Sequence, residues 1–308
     1  MDGLVTLPSR FDVPARRHAA MLAAAQAPVE PGDAASVILV RDSPGAAGGL
    51  EVFLLHRVAE MAFAGGMTVF PGGGVAPGDR RELALTGSAP ARWARRWDGE
   101  EADEHAASAL LACAVRETFE ETGVLLAGPT GSGGASAPAD AAALAAVGVE
   151  RAGLTDASRD LVDVLAAAGL AVRDDLLHPW ARWITPAAMP KRYDTRFFVA
   201  VLPPGQDADG QTTEAVEAGW STPDGALAAF EAGERALMPV TWAVLRDVGR
   251  HRDTASLVAD AAARRPRPVV PQVLLDGERL RLAVPAHAGV ELTDGDRARS
   301  EGTDGESA

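Results

Sequence analysis

Apolar and polar positions alternate along this chain in two distinct periods. Ser36–Arg41 is apolar and β-branched, which predicts a strand, and Leu50–Arg57 predicts a second one after a Gly/Pro turn. Gly65–Phe70 is a third, short candidate that runs into Pro71-Gly72-Gly73-Gly74. Positions 78–104 are polar, carry Trp93 and Trp97, and read as helical in part. From Glu104 to Thr122 the period changes to 3.6: Leu111, Val115, Thr118 and Phe119 form one stripe, and Gly123 is a stop signal. Val124–Ala127 begins another strand, 128–138 is a Gly/Ser/Pro/Ala loop, and 139–170 is Ala-rich with helical period. Trp180–Thr185 and Arg196–Leu202 read as strands, and Ala226–Ala232 and Val240–Arg250 as helices. Val269–Leu275 and Arg279–Val284 flank Asp276-Gly277, a hairpin turn signal.

Interleaved strands and helices place the fold in the α/β (α+β) class, a sheet with helices on both faces. The expected organisation is an irregular N-terminal arm over 1–33, with an Ala-rich helical piece around Arg16–Gln26. A single domain over 34–291 follows, with insertions at about 78–104 and 128–170. The acidic stretch 292–308 is low in apolar residues and is expected to be a disordered tail.

The helix Glu104–Thr122 carries the chemistry. Glu117, Glu120 and Glu121 stand at i, i+3 and i+4, on one face and opposite the apolar stripe. Three like charges in one small volume call for a cation, and hard carboxylate oxygens suit Mg²⁺ or Mn²⁺. The 308 residues include 43 Asp and Glu against 29 Lys and Arg, a net charge of −14. That argues against a nucleic-acid or anionic-membrane partner. Cys113 is the only cysteine, so a disulfide within the chain and a thiolate zinc site are both excluded; it reads as a packed residue. No charged-then-apolar leader and no apolar run of about 18 residues is present. The expectation is a soluble cytoplasmic protein, with its oligomeric state left open.

The run Arg116-Glu117-x-x-Glu120-Glu121-x-Gly123-Val124 resembles the second half of the Nudix box, and Phe70-Pro71-Gly72-Gly73 resembles the segment that opens it. Gly73 precedes Arg116 by 43 positions, roughly 29 more than the box spacing. Counted back strictly from Arg116, the early glutamate falls on Ser108 and the glycine on Ala102, and Thr118 stands where an apolar residue is usual. The first half is therefore broken in this reading, with Glu100, Glu101 and Glu104 as candidates for the early acid. A long insertion at this place is similar to the Nudix branch that includes the mammalian peroxisomal acyl-coenzyme A diphosphatase. Trp180–Pro186, Pro190–Phe198, Glu217–Trp220 and Leu237–Pro239 are similar to the same family, so the resemblance covers about 35–285.

The resemblance implies a Nudix-like α/β/α sandwich and a metal-dependent hydrolase that cleaves a diphosphate linkage in a nucleotide derivative, with coenzyme A or acyl-coenzyme A as the first substrate class. ADP-ribose or another nucleoside diphosphate derivative is the alternative, and a catalytically silent nucleotide-binding sensor is the alternative of another class. Glu117, Glu120 and Glu121 would hold the metal, with the Gly73 carbonyl as a further ligand. Arg116 would clamp Glu120, and Glu214 or Glu217 is the candidate general base. Arg57, Arg182, Arg192 and Arg196 are candidate phosphate clamps, because guanidinium forks match phosphate oxygens. Trp93, Trp97 and Trp180 are candidates to stack on a base or line an acyl groove. Trp183 reads as core, and the 78–104 insertion as a lid.

Overall fold

The computed structural model describes residues 3–12, 21, 26–44, 49–61, 64–87, 90–97, 103–130, 137–276, 279–290 and 292. Most of the Arg16–Gln26 piece, Glu100, Glu101, Gly277 and nearly all of 292–308 lie outside them. In chain order the strands are β1 (Leu4–Thr6), β2 (Gly32–Asp42), β3 (Leu50–Arg57), β4 (Thr68–Val69), β5 (Gly72–Gly74), β6 (Ala127–Pro129), β7 (Leu170–Val172), β8 (His178–Ile184), β9 (Tyr193–Val201), β10 (Ala215–Ser221), β11 (Pro268–Val269), β12 (Gln272–Asp276) and β13 (Arg279–Pro285). The helices are α1 (Pro90–Ala94), α2 (Glu104–Thr122), α3 (Ala141–Gly148), α4 (Arg151–Thr155), α5 (Leu161–Ala167), α6 (Pro223–Ala232), α7 (Pro239–Val248) and α8 (Thr254–Ala263).

Two compact units divide the chain. The larger comprises 33–181 and 195–266. Its sheet runs β10-β3-β2-β9, with β4 beside β3 and β5 beside β2. Ala35, Val37 and Leu39 of β2 and Phe53 and Leu55 of β3 alternate onto one face, where they share a core with Leu111, Val115 and Phe119 of α2. On α6, Ala226 and Phe230 are buried where the helix packs on β3, and α7 packs on α6 in turn. This is the predicted α/β class, with a mixed sheet and helices around it.

Local chemistry sets the ends of α2. The Asp103 side chain accepts hydrogen bonds from the backbone N–H of His105 and Ala106, at 2.9 and 3.0 Å. Gly123 closes the helix in the left-handed region, at φ 73°, as expected from its position. The two insertions pack on each other. Gly87 N–H and Trp93 Nε1–H both donate to Asp174, at 2.8 and 3.0 Å, and Thr86 N–H donates to Val172 O at 3.0 Å. The region 139–170 forms three helices, in keeping with its helical period, and Gly128 and Pro129 pair with β7 rather than staying in a loop.

This packing corrects the reading of the tryptophans. Trp93 and Trp97 are buried, with ring centroids 6.0 and 5.5 Å from Phe198. They serve the core and are not available to stack on a base. Trp180 is also buried, with the Arg264 guanidinium 3.4 Å from its ring centroid.

The smaller unit comprises 1–32, 182–194 and 267–308. Its sheet has the order β1-β13-β12, and β11 runs parallel to the end of β8 through Pro268 and Val269. The β12–β13 ladder spans the predicted hairpin, from Gln272↔Ala283 to Asp276↔Arg279. Trp183 is buried there, as expected of a strand residue. Among the described residues no helix is long and apolar enough to cross a membrane.

Candidate active site

The acidic face of α2 lies against the glycine run of β5. A Cβ built on Gly73 would fall on the Glu117 carboxylate, so any larger residue there would have to push that side chain aside. Gly72 N–H donates to Glu121 Oε2 at 2.8 Å. The Gly73 carbonyl accepts the Cys113 thiol at 3.4 Å. Cys113 is fully buried, and burial raises its pKa well above the usual thiol range. Cys113 is thus a packed residue, as its place on the helix predicts.

Arg116 does more than clamp Glu120. Its Nη1 donates to Glu117 Oε1 at 2.8 Å and to Glu120 Oε1 at 3.1 Å. Its Nε and Nη2 form a fork on Asp79, at 2.9 and 2.8 Å, and Nη2 also reaches Gly74 O at 3.1 Å. Asp79 is buried, and its Oδ2 also accepts Ala76 N–H at 2.8 Å.

Asp79 was missed in the sequence. Counted back from Arg116, the early acid falls at Ser108; counted forward from Gly73 with the same spacing, it falls on Asp79. The box is whole at both ends, and the insertion lies between its acid and its arginine. This corrects the search for a substitute acid. Glu104 lies at the N-terminus of α2, about 20 Å along the axis from Glu117 at 1.5 Å per residue.

The three glutamates are buried beyond what their partners offset. Burial pushes the Glu117 carboxyl up to about 7, against the opposing Arg116 charge. Burial also raises Glu120, and it holds Glu121 well above the usual carboxylate range, with the Glu117 charge as the next cause. Glu121 Oε1 is buried without a hydrogen bond. Among the described residues no set of three acidic, histidine or cysteine side chains is gathered at the spacing of a ligand shell. Arg116 instead bonds Glu117 and Glu120, and Gly72 N–H bonds Glu121. The donor chemistry nevertheless fits a hard divalent ion, since it offers clustered carboxylates and one orphaned buried oxygen.

The candidate bases separate. β10 pairs with β3 through a bulge, in which Ala215 faces Arg57 and Glu217 faces His56, leaving Val216 out of the ladder. Partners across a ladder share a face, so Ala215 stands on the α2 side with Arg57, and Glu217 stands on the other side. Glu217 pairs with Arg235 and its side chain is 63% exposed. Glu214 bonds Arg57 at 2.6 Å. Its charge is among the causes that raise Glu117, Glu120 and Glu121, so it faces the acidic cluster.

The four candidate phosphate clamps are divided between the two units. Arg57 lies at the acidic face, its Nη1 3.7 Å from Glu121 Oε1. Arg196 pairs with Asp33 at 3.3 Å. In the smaller unit, Arg182 is buried in a fork on Asp194, at 3.0 and 2.7 Å, and Arg192 donates to the backbone oxygens of Thr185 and Val29, at 3.0 and 2.6 Å. The guanidinium of Arg182 is thus committed to a carboxylate inside the protein, which corrects its reading as a phosphate clamp.

A cavity of about 390 Å³ opens at the C-terminal end of α2, lined by Gly123, Leu144, Gly148, Arg151, Gln206 and Asp209 among others. Arg151 ties this wall to the site helix, since its Nε donates to Glu120 O at 3.1 Å and its Nη1 pairs with Asp209 at 2.7 Å.

A family model, the NUDT19 Nudix domain, matches residues 92–246, a span that includes Arg116, Glu117, Glu120, Glu121 and Glu214. The acyl-coenzyme A diphosphatase NUDT19 of Gallus gallus is 34% identical over 145 residues, 42% of this chain and 38% of that protein. Its Homo sapiens counterpart is 30% identical over 223 residues, 64% of this chain and 60% of that protein. The matches thus span less than two thirds of these relatives. The crystal structure of a Nudix hydrolase from Alicyclobacillus acidocaldarius superposes with a TM-score of 0.57 at 26% identity, over 75% of this chain and 96% of that one. The chain belongs to the Nudix family, in the group described by the NUDT19 Nudix domain.

Proposed function

We propose that this protein is a metal-dependent diphosphatase acting on coenzyme A or acyl-coenzyme A, with Mg²⁺ or Mn²⁺ as its ion and the cytoplasm as its setting. The observation that carries the reading is the buried, under-compensated set of Glu117, Glu120 and Glu121 against the Gly72–Gly74 backbone. The names of the chicken and human relatives support the substrate class.

When bound, the ion would neutralise diphosphate charge and lower the pKa of a coordinated water. Glu117, Glu120 and Glu121 would hold it. The chain's own residues do the rest. The Arg116–Asp79 fork keeps Glu117 and Glu120 in a fixed geometry, as phosphoryl transfer by positioning requires. Glu214 is the general base: its carboxylate would take a proton from the attacking water. The water oxygen then bonds to one phosphorus, the bridging P–O bond breaks, and two phosphomonoesters leave.

Release of phosphomonoesters, with and without Mg²⁺ or Mn²⁺, tests this across coenzyme A, an acyl-coenzyme A, ADP-ribose and dinucleotides. Turnover of the coenzyme A compounds at the highest kcat/KM is the expected result. Preference for ADP-ribose would keep the chemistry and overturn the substrate. Tight binding of one compound with turnover of none would overturn the enzyme.

A further inference from the structure

We infer that Arg57 is a positioning residue: it holds the Glu214 carboxylate at the acidic face of α2 instead of gripping a substrate phosphate itself. The inference rests on the reading of that face as the reaction site.

Glu214 would not stay there unaided. Its side chain is 44% exposed, and Glu117, Glu120 and Glu121 all face it with like charge. Repulsion and side-chain entropy both favour rotation into solvent. Arg57 opposes this. Its Nη2 bonds Glu214 Oε2 at 2.6 Å, while its Nη1 stands 3.7 Å from Glu121 Oε1. One guanidinium, 12% exposed, thus sits between a carboxylate of the helix and a carboxylate of the β9–β10 connection.

The backbone fixes both ends of this bridge. Arg57 N–H donates to Met67 O at 3.0 Å, and Gly66 N–H donates to Arg57 O at 3.2 Å. One residue on, Val58 N–H donates to Glu214 O at 3.0 Å. The bulge at Val216 places Ala215 opposite Arg57 and so directs the chain just before it onto the α2 side. A phosphate reaching the same guanidinium nitrogen would have to displace Glu214. A guanidinium already bonded to one protein carboxylate and standing beside a second is better placed to orient than to bind.

The test is a double-mutant cycle with coenzyme A and Mg²⁺, using Arg57→Met, Glu214→Gln and both together. Loss of a positioned base costs about 100-fold or more in kcat. Arg57→Met is expected to lower kcat about 10- to 100-fold with KM changed less than about threefold, and the double variant is expected to fall no further than Glu214→Gln alone. Arg57→Lys, which keeps the charge and one contact, is expected to recover most of kcat. Mn²⁺ binding without substrate, followed by electron paramagnetic resonance, is a readout independent of turnover. Removing a cation beside Glu121 should leave Mn²⁺ bound at least as tightly as in the wild type.

A KM raised about tenfold or more at unchanged kcat, or effects that multiply in the double variant, would make Arg57 an independent phosphate clamp and overturn the inference. Weaker Mn²⁺ binding together with a lower unfolding temperature in both Arg57 variants would make it a structural prop and also overturn it. Failure of the underlying reading looks different: Glu120→Gln would then retain wild-type turnover, whatever the cycle gave.

Discussion

Two arginine–aspartate forks in this protein have nearly the same geometry and opposite consequences. Arg116 holds Asp79 at 2.9 and 2.8 Å, with side chains 12% and 1% exposed. Arg182 holds Asp194 at 3.0 and 2.7 Å, with both side chains 10% exposed. The second fork joins β8 to β9. The first stands beside three further carboxylates that burial has pushed toward protonation. A buried ion pair is therefore not a sign of function. The sign is the surplus of like charge next to it, which the protein's own cations do not cancel.

The largest expected effects come from breaking the forks. Asp194→Ala takes the forked carboxylate from a buried arginine and should lower stability by about 3–5 kcal/mol in denaturant unfolding; Asp79→Ala, which leaves Arg116 its bonds to Glu117 and Glu120, should lower it by less. They should part in turnover per folded molecule: within about threefold of wild type for Asp194→Ala, and down at least about tenfold for Asp79→Ala. Equal losses in both would erase the contrast between the two regions.

Next comes the surplus charge. Glu120→Gln should lower kcat at least about 100-fold with the fold retained by circular dichroism. Wild-type turnover in that variant would refute the metal-site assignment.

A smaller effect is expected in the pH dependence of the metal-free protein. Glu117 stands at about 7 in the folded chain against an ordinary 4.5. The folded state thus holds this proton more tightly than the unfolded state. Its contribution is favourable at low pH and is lost as pH rises from about 4.5 to about 7. Thermal unfolding in chelator should therefore show the wild type losing ground to Glu117→Gln across that window, with Mg²⁺ reducing the gap. Parallel curves would mean that Glu117 is not strained by burial.

The smallest expected effect is Glu217→Gln, with kcat within about twofold of wild type, because Glu217 pairs with Arg235 on the far side of the ladder. A loss as large as that of Glu214→Gln would reverse the assignment of the base.

Much of the site was legible as a helical pattern. The spacing of Glu117, Glu120 and Glu121, the apolar stripe opposite them and the Gly123 stop depend only on the 3.6-residue period and on glycine's access to the left-handed region. The Gly73-to-Asp79 spacing was legible too, but only when counted from the glycine end of an interrupted motif. The burial of Trp93, Trp97 and Trp180 was not, because an aromatic side chain has the same local signature whether it lines a groove or fills a core.

What the chain by itself determined is therefore the acidic platform and the class of chemistry it suits, since both arise from residues within one helix. The tertiary structure alone decided which acid answers Arg116, which glutamate faces the cluster, and which arginines are already engaged. Those choices join positions as distant as Asp79 with Arg116 and Arg57 with Glu214, 37 and 157 residues apart. A one-residue bulge in β10 was enough to turn Glu217 away. Helical periodicity is a local property of the backbone; ion-pair partnership and burial exist only once distant segments have packed.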